Sequence, residues 1–400
     1  MIKINLLNSS VATAIALSGS ALAGDVIAEA AAPAPSNNGS WCDSLDDFGK
    51  FYKNDNASFI QEMKFFGRFQ WQAASVDGDD YAGNGVDDDF TEVRRLRIGT
   101  QVKFLDNFKL KVNANLEEGG PNDHQFGYDG LDEAKLTYGA GDILGFEDVA
   151  FTYGRQKFKF SQEAHNSSKK IKTIERSNIA NYFYGSYRPT GITASGKKGG
   201  VKTTFSIFST DKDDELAQWG EGLAYYANLQ FDAAGGEVNL DFVYNDVDSG
   251  DVDLFSKFEW AASAAYTTDI GSWELMTNVL YGEQQDGDAV YGLVIMPSTF
   301  LIDDSLEFVA RYQYAGADND DLSLTSRYAK RAGGDLTSNQ SNTGLNGKGS
   351  ENHTLYAGLN YYLCGNSSKI QVGVEYETMD QEDGDDADAT TLWAAYRMYF

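Results

Sequence analysis

Few side chains in this 400-residue sequence are suited to covalent or metal chemistry: three histidines, His124, His165 and His353, and two cysteines, Cys42 and Cys364. The histidines occur in no paired spacing, HExxH is absent, and no GxSxG elbow occurs, so neither a zinc hydrolase nor a serine hydrolase is written here. Gly191-Ile192-Thr193-Ala194-Ser195-Gly196-Lys197-Lys198 comes near a phosphate-binding P-loop. Lys198 stands where Ser or Thr would hold magnesium, and a turn and strand follow instead of a helix, so the segment reads as a hairpin. Carboxylate pairs suited to glycoside hydrolysis are abundant, but they cluster in loops and not at strand ends. A secreted β-rich protein that binds or hydrolyses polysaccharide is therefore the alternative from another class. The cysteine spacing fits no zinc or redox motif and leaves one disulfide or two free thiols.

The remaining chemistry is electrostatic. Lys+Arg number 32 against Asp+Glu 60, a formal net charge of -28, which argues against nucleic acid because counterion release needs a basic face. Hydrophobic residues at 42% still allow a folded core, and aromatics at 13% with 41 Gly and only 5 Pro favour strands joined by glycine turns. Acids gather in runs: Asp77, Asp79, Asp80, Asp87, Asp88 and Asp89; Asp211, Asp213, Asp214 and Glu215; Glu382, Asp383, Asp385, Asp386 and Asp388. Such runs read either as solvated, self-repelling loops or as weak Ca²⁺ or Mg²⁺ sites. No loop completes an EF-hand, since Asp246-x-Asp248-x-Gly250 lacks its fifth ligand, and no resident cofactor or metal centre is expected.

The elements that position these charges follow from periodicity. Lys3, the apolar stretch from Val11 to Leu17 and an A-x-A site ending at Ala23 describe a cleaved signal peptide over residues 1–23, hence export. Residues 24–60 read as a linker with a short amphipathic helix within Trp41 to Asn56, capped by Asp43 or Ser44. Residues 61–400 alternate greasy with wet. In Asn107 to Leu116, Phe108, Leu110, Val112, Ala114 and Leu116 face one way and Lys109, Lys111, Asn113 and Asn115 the other. Period two with cations on the wet face is a strand signature. By the same parity Arg68, Arg95, Arg97, Lys135 and Arg311 fall on the wet face, whereas Arg155 and Lys157 need a bulge or a strand end to do so.

About sixteen strands fit, an even number, with short and long connections alternating, and this predicts an all-β transmembrane antiparallel barrel with long acidic loops at one end. The Tyr138 to Glu147 connection is longer than its class. No apolar run approaches the ~20 residues of a spanning helix, and alternating strands keep the mean hydropathy low. Leu392, Ala394, Tyr396, Met398 and the terminal Phe400 look like the C-terminal strand signal read by barrel assembly machinery.

Several stretches resemble the phosphate-selective porins of the O and P type. Arg94-Arg95-Leu96-Arg97-Ile98-Gly99 with Phe104 and Asn107-Phe108-Lys109-Leu110 is similar to their second and third strands. Gly154-Arg155-Gln156-Lys157-Phe158-Lys159-Phe160-Ser161-Gln162-Glu163 is similar to the stretch that opens their pore loop, and Ile174-Glu175-Arg176-Ser177 resembles its continuation. Tyr356-Ala357-Gly358-Leu359-Asn360-Tyr361-Tyr362-Leu363 resembles a late strand of the family. The resemblance runs from about Arg94 to the C-terminus and implies a Gram-negative outer-membrane homotrimer, surrounded by lipid and lipopolysaccharide, with its third long loop folded inward. Lys159 stands where the family motif has Pro, and the early strands carry fewer arginines than a full phosphate ladder, so a phosphate-specific pore is not implied.

On that resemblance Lys169, Lys170, Lys172 and Arg176 form a basic constriction loop, accompanied only by Glu163 and Glu175. A barrel band is ~25 Å tall and the Debye length ~8 Å, so loop carboxylates at the rim are screened from a mid-barrel constriction. The expected function is passive diffusion of small hydrophilic solutes with mild anion preference, phosphate included, the alternative being a cation-preferring or non-selective pore. Cys42, ahead of the first strand, and Cys364, in a short connection, fall at the same end of the barrel, where a disulfide would pin the N-terminal segment to that turn.

Overall fold

A computed structural model describes residues 40–185, 187–211, 215–217, 219–247, 252, 255–322, 326–333, 345 and 347–400. The signal peptide, the linker up to residue 39, and Asp213, Asp214, Asp248 and Gly250 lie outside these described residues. Helix α1 (Ser40–Asp47) and strand β1 (Lys50–Lys53) form an N-terminal arm. The barrel follows as β2 (Ile60–Asp79), β3 (Gly85–Phe104), β4 (Phe108–Asn115), β5 (Leu131–Ile143), β6 (Phe146–Arg155), β7 (Thr190–Lys198), β8 (Val201–Ser209), β9 (Gly222–Ala233) and β10 (Gly236–Val247). Its second half is β11 (Phe258–Ile270), β12 (Trp273–Gln284), β13 (Ala289–Ile302), β14 (Leu306–Ala317), β15 (Glu351–Tyr362), β16 (Ser368–Asp380) and β17 (Asp386–Tyr399).

Each barrel strand pairs antiparallel with the next, and β17 pairs with β2 from Tyr399 opposite Arg68 to Asp388 opposite Asp79, closing sixteen strands without an edge. Closure is what lets a sheet pair all its backbone groups internally. The alternation read from the sequence points apolar side chains outward around the wall: Ile98, Leu110, Val279, Leu355, Val372 and Leu392 are exposed, while their sequence neighbours on the other parity turn inward.

Three local readings change. Tyr138 to Glu147 is no long connection, because β5 and β6 run on to a two-residue turn in which Leu144 has φ 54° and Gly145 φ 79°. Both positive values suit the tight hairpin turn that matches strand twist. Two register shifts, between Gly139 and Gly141 and between Gly141 and Ile143, break the alternation there and hide the strands. The first acidic run is a strand hairpin and not a loop: Asp77 and Asp79 belong to β2, Asp87, Asp88 and Asp89 to β3, and only Asp80 lies in the turn. The arm's helix starts at Ser40, ahead of the expected caps Asp43 and Ser44, and stops at Asp47 because the following residues pair with β2.

Candidate pore constriction

Two bulges decide which charges face the lumen. Opposite Gln70 and Trp71 of β2 stand Arg95 and Val93 of β3, so Arg94 is an extra residue. Opposite Asn113 and Ala114 of β4 stand Glu133 and Leu131 of β5, so Asp132 is extra. A bulge sets two residues against one and re-aims side chains, and here it brings consecutive charged pairs, Arg94-Arg95 and Asp132-Glu133, to the inside. Strict alternation had no means of placing Glu92, Arg94 and Asp132 there. A β3 lacking Arg94 keeps the parity of Glu92 and Arg95, so its deletion should leave a folded barrel by heat-modifiable migration. Deleting Leu110 from β4, which carries no slack, turns either Lys109, at ~0–1 kcal/mol near the short-turn end, or Lys111 and Asn113 deeper in the wall to the apolar outer face, and should weaken the folded band.

Between β6 and β7, residues 156–185 and 187–189 enter the barrel with two short helices, α2 (Gln162–His165) and α3 (Asn178–Phe183). Their apolar residues are fully buried: Phe158, Phe160, Ile174, Ile179, Phe183 and Tyr184. Phe158 is the hub, its ring centroid 4.8 Å from Tyr184, 5.4 Å from Phe208, 5.0 Å from Tyr226 and 5.2 Å from Phe255. Phe183 stacks on Phe258 at 4.6 Å. From the inner wall between β8 and β13, Phe208, Val243, Ala261, Leu280 and Val294 are buried against the same core. Opposed aromatic faces and edges add to what burial supplies, so the loop sits on one side of the lumen as an attached aromatic plug.

Polar bonds hold the loop to the wall as well. Arg311 of β14 reaches Glu375 at 2.7 Å, the Glu175 carbonyl at 2.9 Å, Thr173 Oγ1 at 3.2 Å and Glu163 at 3.5 Å. Arg94 meets Glu175 at 2.5 Å, Arg397 donates to the Ser168 carbonyl at 3.1 Å, and Lys369 donates to the Ile171 carbonyl at 2.8 Å. His165 lies 2.8 Å from Asp241, which also accepts from Tyr226 at 2.7 Å. At the long-loop end a second insertion, within the β14–β15 connection, packs Tyr328 on Phe90 and Trp393, and Arg327 grips Glu92 at 2.7 Å.

The residues named from sequence as constriction cations therefore take different places. Lys172 bridges Glu274 and Glu307, each at 3.0 Å, and donates to Ser298 at 2.7 Å. Arg176 does not line an opening: buried to 4% exposure, it donates to the carbonyls of Glu163 at 2.8 Å and Asn166 at 3.1 Å and fastens the loop to itself. Lys169 sits 5.3 Å over the Tyr399 ring, and Lys170, the next residue, is half-buried. Of the wall set, Arg95 is buried against Gln70 at 2.7 Å, Arg68 reaches Ser168, and Lys109 lies beside Lys103 towards the short-turn end. Lys111 and Lys135 face each other across strands and share Glu133.

The most basic part of the interior lies beside β3 to β6. A cavity of about 240 Å³ is lined there by Arg97, Asn115, Asp132, Arg155, Arg188 and Asp211, among others. Asp132 forms ion pairs with Arg97 at 2.8 Å and Arg188 at 3.1 Å. Arg155 is turned inward because β6 ends on it, and it donates to the Leu131 carbonyl at 2.7 Å. With Arg68, Lys111 and Lys135 on adjoining registers, six cations named here meet two wall carboxylates, Asp132 and Glu133. Arg188 carried no sequence signal, since it follows the plug and no strand parity applies to it. Among the described residues one carboxylate trio could approach a cation, Asp286, Asp288 and Asp321 within 4.8 Å, but Lys348 already lies 2.6 Å from Asp321. Cys42 and Cys364 form a disulfide, with Cα atoms 5.4 Å apart.

A family model described as phosphate-selective porin O and P matches residues 63–331. Among solved structures the chain is similar to the outer membrane channel DcaP of Acinetobacter baumannii, at 14% identity and TM-score 0.58 over 88% of this chain and 100% of that one. It is similar also to an anion-selective porin from Comamonas acidovorans, at 11% identity and TM-score 0.55 over 85% and 99%. A loop-deletion mutant of OmpT from Vibrio cholerae gives 11%, 0.54, 84% and 99%. No curated protein sequence matches. These structural likenesses carry the fold; the family model, which runs from the first barrel strand into the β14–β15 insertion, carries the kinship, and the chain belongs to the phosphate-selective porins O and P of the outer membrane.

Proposed function

We propose that this barrel conducts small hydrophilic solutes passively through the gap along β3 to β6, with a mild preference for anions, phosphate among them. The supporting observation is the cavity beside Arg97, Arg155 and Arg188, where the local charge is positive in a chain whose formal net charge is -28. The basic character comes from wall arginines and the foot of the plug more than from the loop lysines, of which Lys172 neutralises two wall carboxylates. Asp211 lines the same cavity and offsets part of that charge, while the strand-borne acids of the first hairpin lie towards the long-loop end, where a Debye length of ~8 Å screens them from the gap. Cleavage of the signal peptide, assembly as a homotrimer among lipopolysaccharide, and recognition of Phe400 by the assembly machinery belong to the same reading. The test is the reversal potential of the purified protein in a planar bilayer under a KCl gradient: a chloride-directed potential supports the proposal, and a potassium-directed one overturns it.

A further inference from the structure

We infer that the N-terminal arm is a disulfide-locked clasp over the seam where the barrel closes. The seam joins β17 to β2, but the two strands end unevenly: Tyr399 lies opposite Arg68, while β2 extends to Ile60. The overhang from Ile60 to Phe66 would leave a row of unpaired backbone groups on that edge, the kind of edge that native sheets cover. β1 covers it. Lys50 stands opposite Lys64, Tyr52 opposite Met63 and Lys53 opposite Glu62, so β1 continues along β2 where β17 stops.

The junction of the two partial strands is tightly built. Phe65 donates its backbone N–H to the Gly49 carbonyl at 2.8 Å, and Gly67 and Phe400 exchange backbone bonds of 3.1 and 3.3 Å. A Cβ on Gly49 would stand 1.9 Å from the Phe65 carbonyl oxygen, and one on Gly67 would stand 2.3 Å from the Phe400 ring. Both positions need glycine for close approach. Phe48 packs edge-on against Phe400 at 5.1 Å and Phe51 against Phe65 at 5.0 Å. On the far side of the seam, α1 is tied through Cys42 to Cys364 in the β15–β16 turn, across 322 residues of sequence. The arm thus grips β2 at one end and the β15–β16 turn at the other, passing over the end of β17 and its terminal Phe400.

Cross-linking positions so far apart removes much of the freedom of the opened chain, and an oxidising compartment maintains the bond. The clasp makes the seam's resistance to opening depend on the thiol state. The inference rests on barrel closure and the disulfide, and does not depend on ion preference.

The experiment uses the full-length folded protein in detergent: wild type oxidised, wild type reduced with dithiothreitol, the Cys42→Ser/Cys364→Ser double variant, and Gly49→Val, which keeps both cysteines. Amide hydrogen exchange at Gly67, Arg68, Tyr399 and Phe400 is compared with that of β11 and β12 across the barrel. Reduction, the double variant and Gly49→Val should each speed seam exchange by roughly tenfold or more while β11 and β12 stay unchanged, because local opening is a separate event from global unfolding. Seam exchange that is indifferent to reduction, or that rises equally all round the barrel, overturns the clasp. The KCl reversal potential of the same variants should not move, which separates this test from that of the channel's selectivity.

Discussion

Replacing Arg155 and Arg188 together by glutamine should lower the chloride-to-potassium permeability ratio about a hundredfold, while Asp132→Asn raises it. Both guanidiniums line the cavity beside β3 to β6, and Arg188 shares Asp132 with Arg97. A unit charge ~8 Å from a passing ion at an effective dielectric constant of ~20 contributes ~2 kcal/mol, which a Debye length of ~8 Å reduces to ~0.8 kcal/mol. Two such charges amount to ~1.5 kcal/mol for the anion and the same with opposite sign for the cation, so the ratio moves by ~3 kcal/mol, or about a hundredfold. Removing Asp132 has the opposite sign because it leaves Arg97 and Arg188 without their shared counter-charge. Bilayer reversal potentials of the three proteins check this, and a ratio that stays put in both variants would mean that ions pass elsewhere.

Phe158→Ala should raise single-channel conductance and its noise while leaving the barrel folded. Phe158 is fully buried and touches Tyr184, Phe208, Tyr226 and Phe255. Truncating such a ring costs ~3–5 kcal/mol, part of it the cavity left behind. That loss falls on the attachment of the plug and not on the wall, whose strands keep their ladders. The plug then swings on its remaining polar grips, chiefly Arg311 and Arg397. Single-channel recordings measure the amplitude and flicker, and heat-modifiable migration measures the barrel; a quiet channel of unchanged amplitude would show that the aromatic core does not hold the constriction.

How much of this was legible can be seen residue by residue. Lys109, Lys111, Lys135 and Arg311 lie where alternation puts them, because the outer face of a barrel strand is apolar and the inner face polar, and a period of two survives wherever pairing is regular. Glu92 and Asp132 were not legible, since each lies at or beyond a bulge and one extra residue reverses parity. The hairpin from Asp77 to Asp89 looked like a loop because its strands carry carboxylates, although paired backbone tolerates acids once a strand has left the apolar band. Arg155 had its exception anticipated, and the strand end that explains it is visible only in the fold.

The sequence by itself determined the closed antiparallel barrel, the inward parity of most wall cations, and two cysteines at one end, because these rest on local periodicity and chain order. The tertiary structure decided which cations remain for an ion to meet. Lys172 and Arg176 lose that role to Glu274, Glu307 and backbone carbonyls, whereas Arg97, Arg155 and Arg188 gather around one gap. The physical reason is that a charge's effect depends on what it faces, and in a barrel the facing partner comes from strands tens or hundreds of residues away. The same holds for the seam, where β1 meets β2 and Cys42 meets Cys364 only after the wall has closed.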